Sequence, residues 1–171
     1  PLILNTKNYL FFIKTIYDRF QFIPDIIDFG GGLGIPYFDG HQNFDIVTFA
    51  QLFTDALFEM PFLKNSHLIV ELGRYIVGPS GVFVTKVIRR KETLRGTILT
   101  VDGGLGQNLS LIGFGQLLKR PYKLSTLKSK DEENELVSIA GPSCYSMDII
   151  AQDIQLPKLR EGDFLIAHNC G

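Results

Sequence analysis

Asp25–Tyr37, DIIDFGGGLGIPY, is the stretch whose reading decides the fold. Ile26, Ile27 and Phe29 form a short apolar run that reads as a buried strand. The run then breaks into Gly30, Gly31, Gly32 and Gly34. Glycines let a backbone turn sharply and bring its N–H groups close to a ligand. A glycine cluster directly after a strand is where α/β proteins often hold a phosphate. This cluster lacks the G-x-G-x-x-G spacing of dinucleotide sites and the Lys-Ser/Thr ending of a P-loop. Taken alone, it fits a phosphate cradle and a ligand-free tight turn equally well.

The flanks supply the context. Upstream, Leu10, Phe11, Ile13, Ile16, Tyr17 and Phe20 recur at helical spacing over residues 8–22, with Lys14, Asp18 and Arg19 on the other side. Pro24 ends that helix. Downstream, residues 35–43 read as a loop with the turn signal Asp39-Gly40. A second helix is expected from Asp45 to about Phe62, with Phe49, Leu52, Phe53, Ala56, Leu57 and Met60 as its apolar face. Asp45 is placed to cap it and Pro61 falls near its end. A second strand, Leu68-Ile69-Val70, closes on Glu71. Helix, strand, helix, strand implies parallel strands.

After Gly81 the pattern changes. Val82–Arg89, Thr97–Val101, Leu136–Ala140 and Phe164–Ala167 read as strands, with turns at Gly96, Gly103-Gly104, Pro157 and Gly162. A short helix is expected over residues 112–118, and residues 125–135 (STLKSKDEENE) read as a solvent loop. The expected organisation is an α/β part over residues 1–81 and a mainly antiparallel β part over residues 82–171.

Composition narrows the function classes. With 171 residues the chain can build one good core or two small units. A net charge of −1 gives no basis for binding nucleic acid or an anionic membrane. No apolar run approaches the length of a membrane span, and PLILNTKNYL is not a signal peptide. Cys144 and Cys170 are too few for a disulfide framework, so free thiols and a cytoplasmic location are expected. His41, His67 and His168 are scattered, and no metal site is expected. A start at Pro1 inside patterned sequence reads as a piece of something longer.

Both strands of the α/β part end in unusual loops: Gly30–Gly34, and Glu71-Leu72-Gly73-Arg74-Tyr75. In parallel sheets and barrels, ligands bind beyond the carboxyl ends of the strands. Glu71 and Arg74 are close enough in sequence to neutralise one another. The functional alternative is a ligand that is both anionic and basic, with glycine N–H groups and Arg74 on the anion and Glu71 on a protonated nitrogen. A third constellation, Gly141–Asp148 (GPSCYSMD), directly follows a β run. A lone cysteine there is more often a packed thiol than a reactive one, and no histidine lies near it in sequence.

Five pieces in order, GGGLG at Gly30, ELGRYIVGPSG at Glu71, VDGG at Val101, GPSCYSMD at Gly141 and LPKLREGD at Leu156, resemble the C-terminal half of the fold-type III, alanine racemase-like pyridoxal-phosphate decarboxylases. That family includes the diaminopimelate, ornithine, lysine and arginine decarboxylases, and the resemblance runs from about Asp25 to the last residue. It implies the end of a (β/α)8 TIM-like barrel followed by a C-terminal antiparallel β domain. It implies pyridoxal 5'-phosphate as cofactor, with Gly30, Gly31, Gly32, Gly34, Gly73 and Arg74 around the phosphate and Glu71 on the pyridine nitrogen. Such a carboxylate keeps the ring nitrogen protonated, so that the ring can accept the electron pair left by departing carbon dioxide. It further implies a homodimer with shared active sites and a small amino-acid substrate, with Cys144 reaching the neighbouring site as a proton donor. Arg120, in KRPY, resembles an arginine that receives a substrate carboxylate.

Three features depart from the family. Tyr145 stands where an acidic residue usually greets a distal substrate amine, which leaves the substrate open to amino acids other than diaminopimelate, and Asp102-Gly103-Gly104 resembles the carrier-protein-linked branch of the family. The lysine that carries the cofactor lies on an early barrel strand in the family, and no lysine here has a comparable setting. The family's Gly-Ala-Tyr ending is cut off after Gly171. The expected function is decarboxylation of a diaminopimelate-, ornithine- or lysine-like L-amino acid by the longer protein, with this piece inactive alone. The alternatives are a non-catalytic relative acting through dimerisation, and an unrelated phosphate-ligand barrel in which Cys144 is structural.

Overall fold

The structure is a computed structural model that describes residues 2–38, 40, 42–113, 121–129 and 133–171. Asp39, His41, Arg120 and most of the helix expected over residues 112–118 lie outside the described residues, as do positions 130–132 of the expected solvent loop. The chain divides into two compact units, one of residues 1–35 and 42–78 and one of residues 36–41 and 79–171.

The first unit runs α1 (Leu2–Phe20), β1 (Ile26–Gly31), α2 (Ile46–Phe58), β2 (His67–Glu71) and α3 (Gly73–Val77). β1 and β2 pair in parallel, with Ile27 opposite Leu68, as the helix-strand order requires. Asp45 caps α2 by accepting from the Thr48 N–H at 3.0 Å and the Thr48 hydroxyl at 2.7 Å. These two bonds hold its carboxyl below the usual carboxylate range. α1 inserts Leu10 and Ile13 into a core shared with Ile27, Met60 and Leu63. Tyr17 stacks on Phe62 with ring centres 3.9 Å apart.

Burial departs from the sequence reading here. Phe11 and Phe20 of α1 are exposed, as are Ile26 and every residue of β2. A two-stranded sheet has two open edges, and α1 and α2 cover only part of it. No helix among the described residues is long and apolar enough to cross a membrane.

The second unit is a six-stranded sheet in the order β5-β8-β3-β4-β6-β7, with β3 Val82–Thr93, β4 Gly96–Val101, β5 Leu124–Thr126, β6 Asn134–Ala140, β7 Ile149–Pro157 and β8 Phe164–His168. Alternation decides which face is inside: Thr85 and Val87, then Thr97, Leu99 and Val101, then Val137 and Ile139 are buried, and their neighbours are not. The twelve-residue β3 pairs with β8 through Val82–Lys86 and with β4 through Val87–Thr93, and the register shifts between Val87 and Arg89.

Three details correct the expectation. The sheet is mixed, because β4 and β6 run parallel while the other described pairings are antiparallel. β7 is a nine-residue strand where none was expected. Ser125 and Thr126, read as loop, belong to β5. Of the expected short helix, only Ile112 is helical among the described residues, as the last residue of a 3-10 turn over Leu109–Ile112.

One ion pair ties three strands together. Arg90 of β3 reaches over β4, where Thr97 Oγ1 accepts at 3.3 Å, to the Glu135 carboxylate on β6, with Nη2 to Oε2 at 2.8 Å. The Leu159 carbonyl accepts from Arg90 Nη1 at 3.1 Å. Both side chains are about four-fifths buried, at 16% and 21% exposure. The Arg90 guanidinium holds the Glu135 carboxyl below its ordinary value near 4.5. A depressed carboxyl stabilises the fold above its ordinary value and loses that contribution as pH falls through its folded value. Glu135→Gln should therefore lower stability by about 1 to 2 kcal/mol at pH 7, measured by urea unfolding. The difference from the parent should shrink as pH drops below about 4.5, and a pH-independent difference contradicts the account.

Candidate functional site

Within the first unit, the parallel pairing of β1 and β2 brings two of the sequence-predicted stretches together. Gly31 stands directly opposite Glu71 in the register, so the glycine loop and the Glu71–Arg74 turn leave the sheet at the same, carboxyl end. The approach is close: a Cβ on Gly31 would collide with the Glu71 carbonyl oxygen. Only glycine fits there.

The four glycines do different things. Gly31 is a packing residue. Gly30 has φ +66° and donates its N–H to Asp28 Oδ1 at 2.8 Å, so that amide is committed within the chain. Gly32 (φ +90°) and Gly34 are exposed beyond the strand, and a Cβ built on either meets nothing within 4 Å. The intervening Leu33 and the following Ile35 are 2% and 3% exposed, so the loop is pinned at alternate residues while its glycines face outward. Glu71 at the end of β2 and Gly73 and Arg74 at the start of α3 are exposed. An open glycine loop at the same strand end as a turn that carries a glutamate and an arginine supplies residue types that fit a group with a phosphate at one end and a basic nitrogen at the other. This is the fit that pyridoxal 5'-phosphate requires.

In the second unit, Cys144 and Tyr145 lie exposed on the loop between β6 and β7. That loop is built around Asp148, which is 2% exposed. Asp148 Oδ1 accepts from the Leu105 N–H at 2.8 Å and Oδ2 from the Ser143 N–H at 3.1 Å. Its backbone carbonyl accepts from Gly141 at 2.8 Å, and its N–H donates to the Tyr145 carbonyl at 2.9 Å. Leu105 belongs to the loop after β4. Because β4 and β6 are parallel neighbours, both loops leave the same edge of the sheet.

Asp102 opens the β4 loop. Its Oδ1 accepts from the Lys86 N–H at 2.8 Å and from the Thr85 hydroxyl at 2.7 Å, and Thr85 Oγ1 in turn accepts from Gly103. The Lys86 amide and then the Thr85 hydroxyl hold this exposed carboxyl below the usual range. Asp102 and Asp148 fall within motifs quoted from the sequence but were given no structural role there, and Thr85 was not singled out. The signal for Asp148 was the two glycines at 104 and 141, which have no room for a side chain because its carboxylate occupies the space.

A family profile described as the pyridoxal-dependent decarboxylase C-terminal sheet domain matches residues 11–171. Diaminopimelate decarboxylase of Methanothermobacter thermautotrophicus is 35% identical over 184 residues, covering 99% of this chain and 41% of that protein. L-glutamyl-[BtrI acyl-carrier protein] decarboxylase of Niallia circulans is 29% identical over 164 residues, covering 92% and 38%. The crystal structure of diaminopimelate decarboxylase from M. jannaschii in complex with L-lysine superposes with a TM-score of 0.85 at 27% identity, covering 100% of this chain and 38% of that one. The chain thus spans about two fifths of the length of the curated relatives it matches.

The two kinds of glycine separate in a paired experiment. Gly31→Ala should destabilise the complete protein by about 2 kcal/mol through overpacking, read as a lower urea midpoint. Gly34→Ala, with open space around its Cβ, should stay within about 0.5 kcal/mol of the parent. Equal effects contradict the assignment of Gly31 to packing.

Proposed function

The chain belongs to the pyridoxal-dependent decarboxylases, and from that premise we propose that the complete protein decarboxylates an L-amino acid of the diaminopimelate, ornithine or lysine kind. In this reading residues 1–81 are the closing βα units of a (β/α)8 barrel, on its cofactor-phosphate side, and residues 82–171 are the C-terminal β domain. The observation that supports it is the Gly31–Glu71 pairing, which brings an open glycine loop to the turn that carries Glu71 and Arg74. Gly32, Gly34 and Arg74 hold the phosphate, with Gly30, Gly31 and Gly73 shaping the turns around it.

When bound, pyridoxal phosphate supplies an electron sink for the pair left on the substrate α-carbon as the bond to the carboxylate breaks and carbon dioxide leaves. Glu71 holds a proton on the ring nitrogen, which deepens that sink. Cys144 gives its thiol proton to the α-carbon and regains one from water. Cys144 acts across a homodimer, serving the partner protomer's site; its exposure on a built loop supports this reading. Arg120 receives the substrate carboxylate. Tyr145, exposed beside Cys144, meets the distal end of the substrate. A phenol there offers one hydroxyl in place of a carboxylate, so a neutral or carrier-linked distal end is accommodated as well as an amine.

The test is carbon dioxide release by the complete protein with pyridoxal phosphate, over diaminopimelate, lysine, ornithine and a carrier-linked glutamyl substrate. One of these should turn over, and the 171-residue piece alone should not exceed free cofactor. Glu71→Ala should lower kcat by about 10²- to 10³-fold, the size of an electrostatic catalytic contribution. No release from any substrate contradicts the proposed activity, and near-parental kcat in the variant contradicts the role of Glu71.

A further inference from the structure

We infer that Asp148 is a positioning residue for the reaction: its buried carboxylate clamps the loop carrying Cys144 to the loop that follows β4, and so fixes where the Cys144 thiol is presented. The inference rests on the role given above to Cys144. Three observations carry it. The two carboxylate oxygens serve different loops, Oδ1 taking the Leu105 N–H at 2.8 Å and Oδ2 the Ser143 N–H at 3.1 Å. The side chain is 2% exposed although the loop around it, from Pro142 to Met147, is exposed. The space for it is kept by two glycines, one from each loop, since a Cβ on Gly104 or on Gly141 would run into the carboxylate.

A buried carboxylate that bridges two backbone N–H groups cannot be replaced by its own amide. Asparagine has one acceptor oxygen, and its amino group must face one of the two N–H donors. Asp148→Asn therefore keeps size and shape while breaking one bridge and setting donor against donor. Ser143 immediately precedes Cys144, so loss of its anchor moves the thiol directly. A large rearrangement is not needed for a large effect, because a misplacement of about 1 Å costs about 100-fold in a step that depends on orientation.

The experiment compares the complete protein with Asp148→Asn, Cys144→Ala and the double variant. Expected are a kcat at least tenfold lower in Asp148→Asn with KM within twofold, and a double variant no slower than Cys144→Ala alone. Hydrogen exchange should quicken at both Leu105 and Ser143, and the alkylation rate of Cys144, followed on its own peptide, should change at least fivefold. Gly141→Ala, whose Cβ invades the carboxylate's space, should reproduce these effects by a second route. Additive losses in the double variant overturn the inference, as does unchanged exchange or unchanged alkylation in both Asp148→Asn and Gly141→Ala. Parental turnover in Cys144→Ala overturns instead the role of Cys144 on which the inference rests, and exchange and alkylation then still judge the clamp.

Discussion

The candidate cofactor site depends on one close approach, the Gly31 backbone against the Glu71 carbonyl. Two parallel strands can sit in many registers, and a slip of one residue reverses every side chain. Here a side chain at position 31 is excluded, and Gly31 faces Glu71. That register sets the glycine loop beside the turn carrying Glu71 and Arg74. The loop is then held by Leu33 and Ile35, which are buried while Gly32 and Gly34 between and before them stay open. The glycine loop and the turn that carries Glu71 and Arg74 leave one strand end because of a packing constraint.

The second unit solves a similar problem by other means. Its parallel β4–β6 pair makes two loops leave one edge of the sheet. Loops on a sheet edge have little to hold them. Asp148 supplies the tie with a carboxylate that the backbone solvates in place of water. Burying a carboxylate is tolerable only when it is well hydrogen-bonded. Asp102 is steadied the same way by Thr85 and the Lys86 amide. In the same sheet, the Arg90–Glu135 pair links β3 to β6 across β4.

Much of this was legible in the sequence. The helices α1 and α2, the parallel strands β1 and β2, and four strands of the second unit followed from period and from turn residues. β7 was hidden because IIAQDIQLP mixes two buried residues at its start with exposed polar ones, so it shows no clean alternation. β5, with three residues, is too short to carry a pattern. The exposure of Ile26 and β2 was not readable, since a strand's own sequence does not say what covers it. In the glycine loop the sequence reading treated four glycines alike, whereas Gly31 packs, Gly30 bonds to Asp28 and Gly32 and Gly34 stay open. Asp148 was overlooked in a motif read for its cysteine, because burial and backbone partners are properties of the fold.

The central claim is that Glu71 sits at the ring nitrogen of pyridoxal phosphate and keeps it protonated. The most direct measurement is the nitrogen-15 chemical shift of ring-labelled cofactor bound to the complete protein and to Glu71→Gln. The account predicts a protonated ring nitrogen in the parent and an unprotonated one in the variant at the same pH. An unprotonated nitrogen in the parent, or the same protonated shift in both, would contradict it.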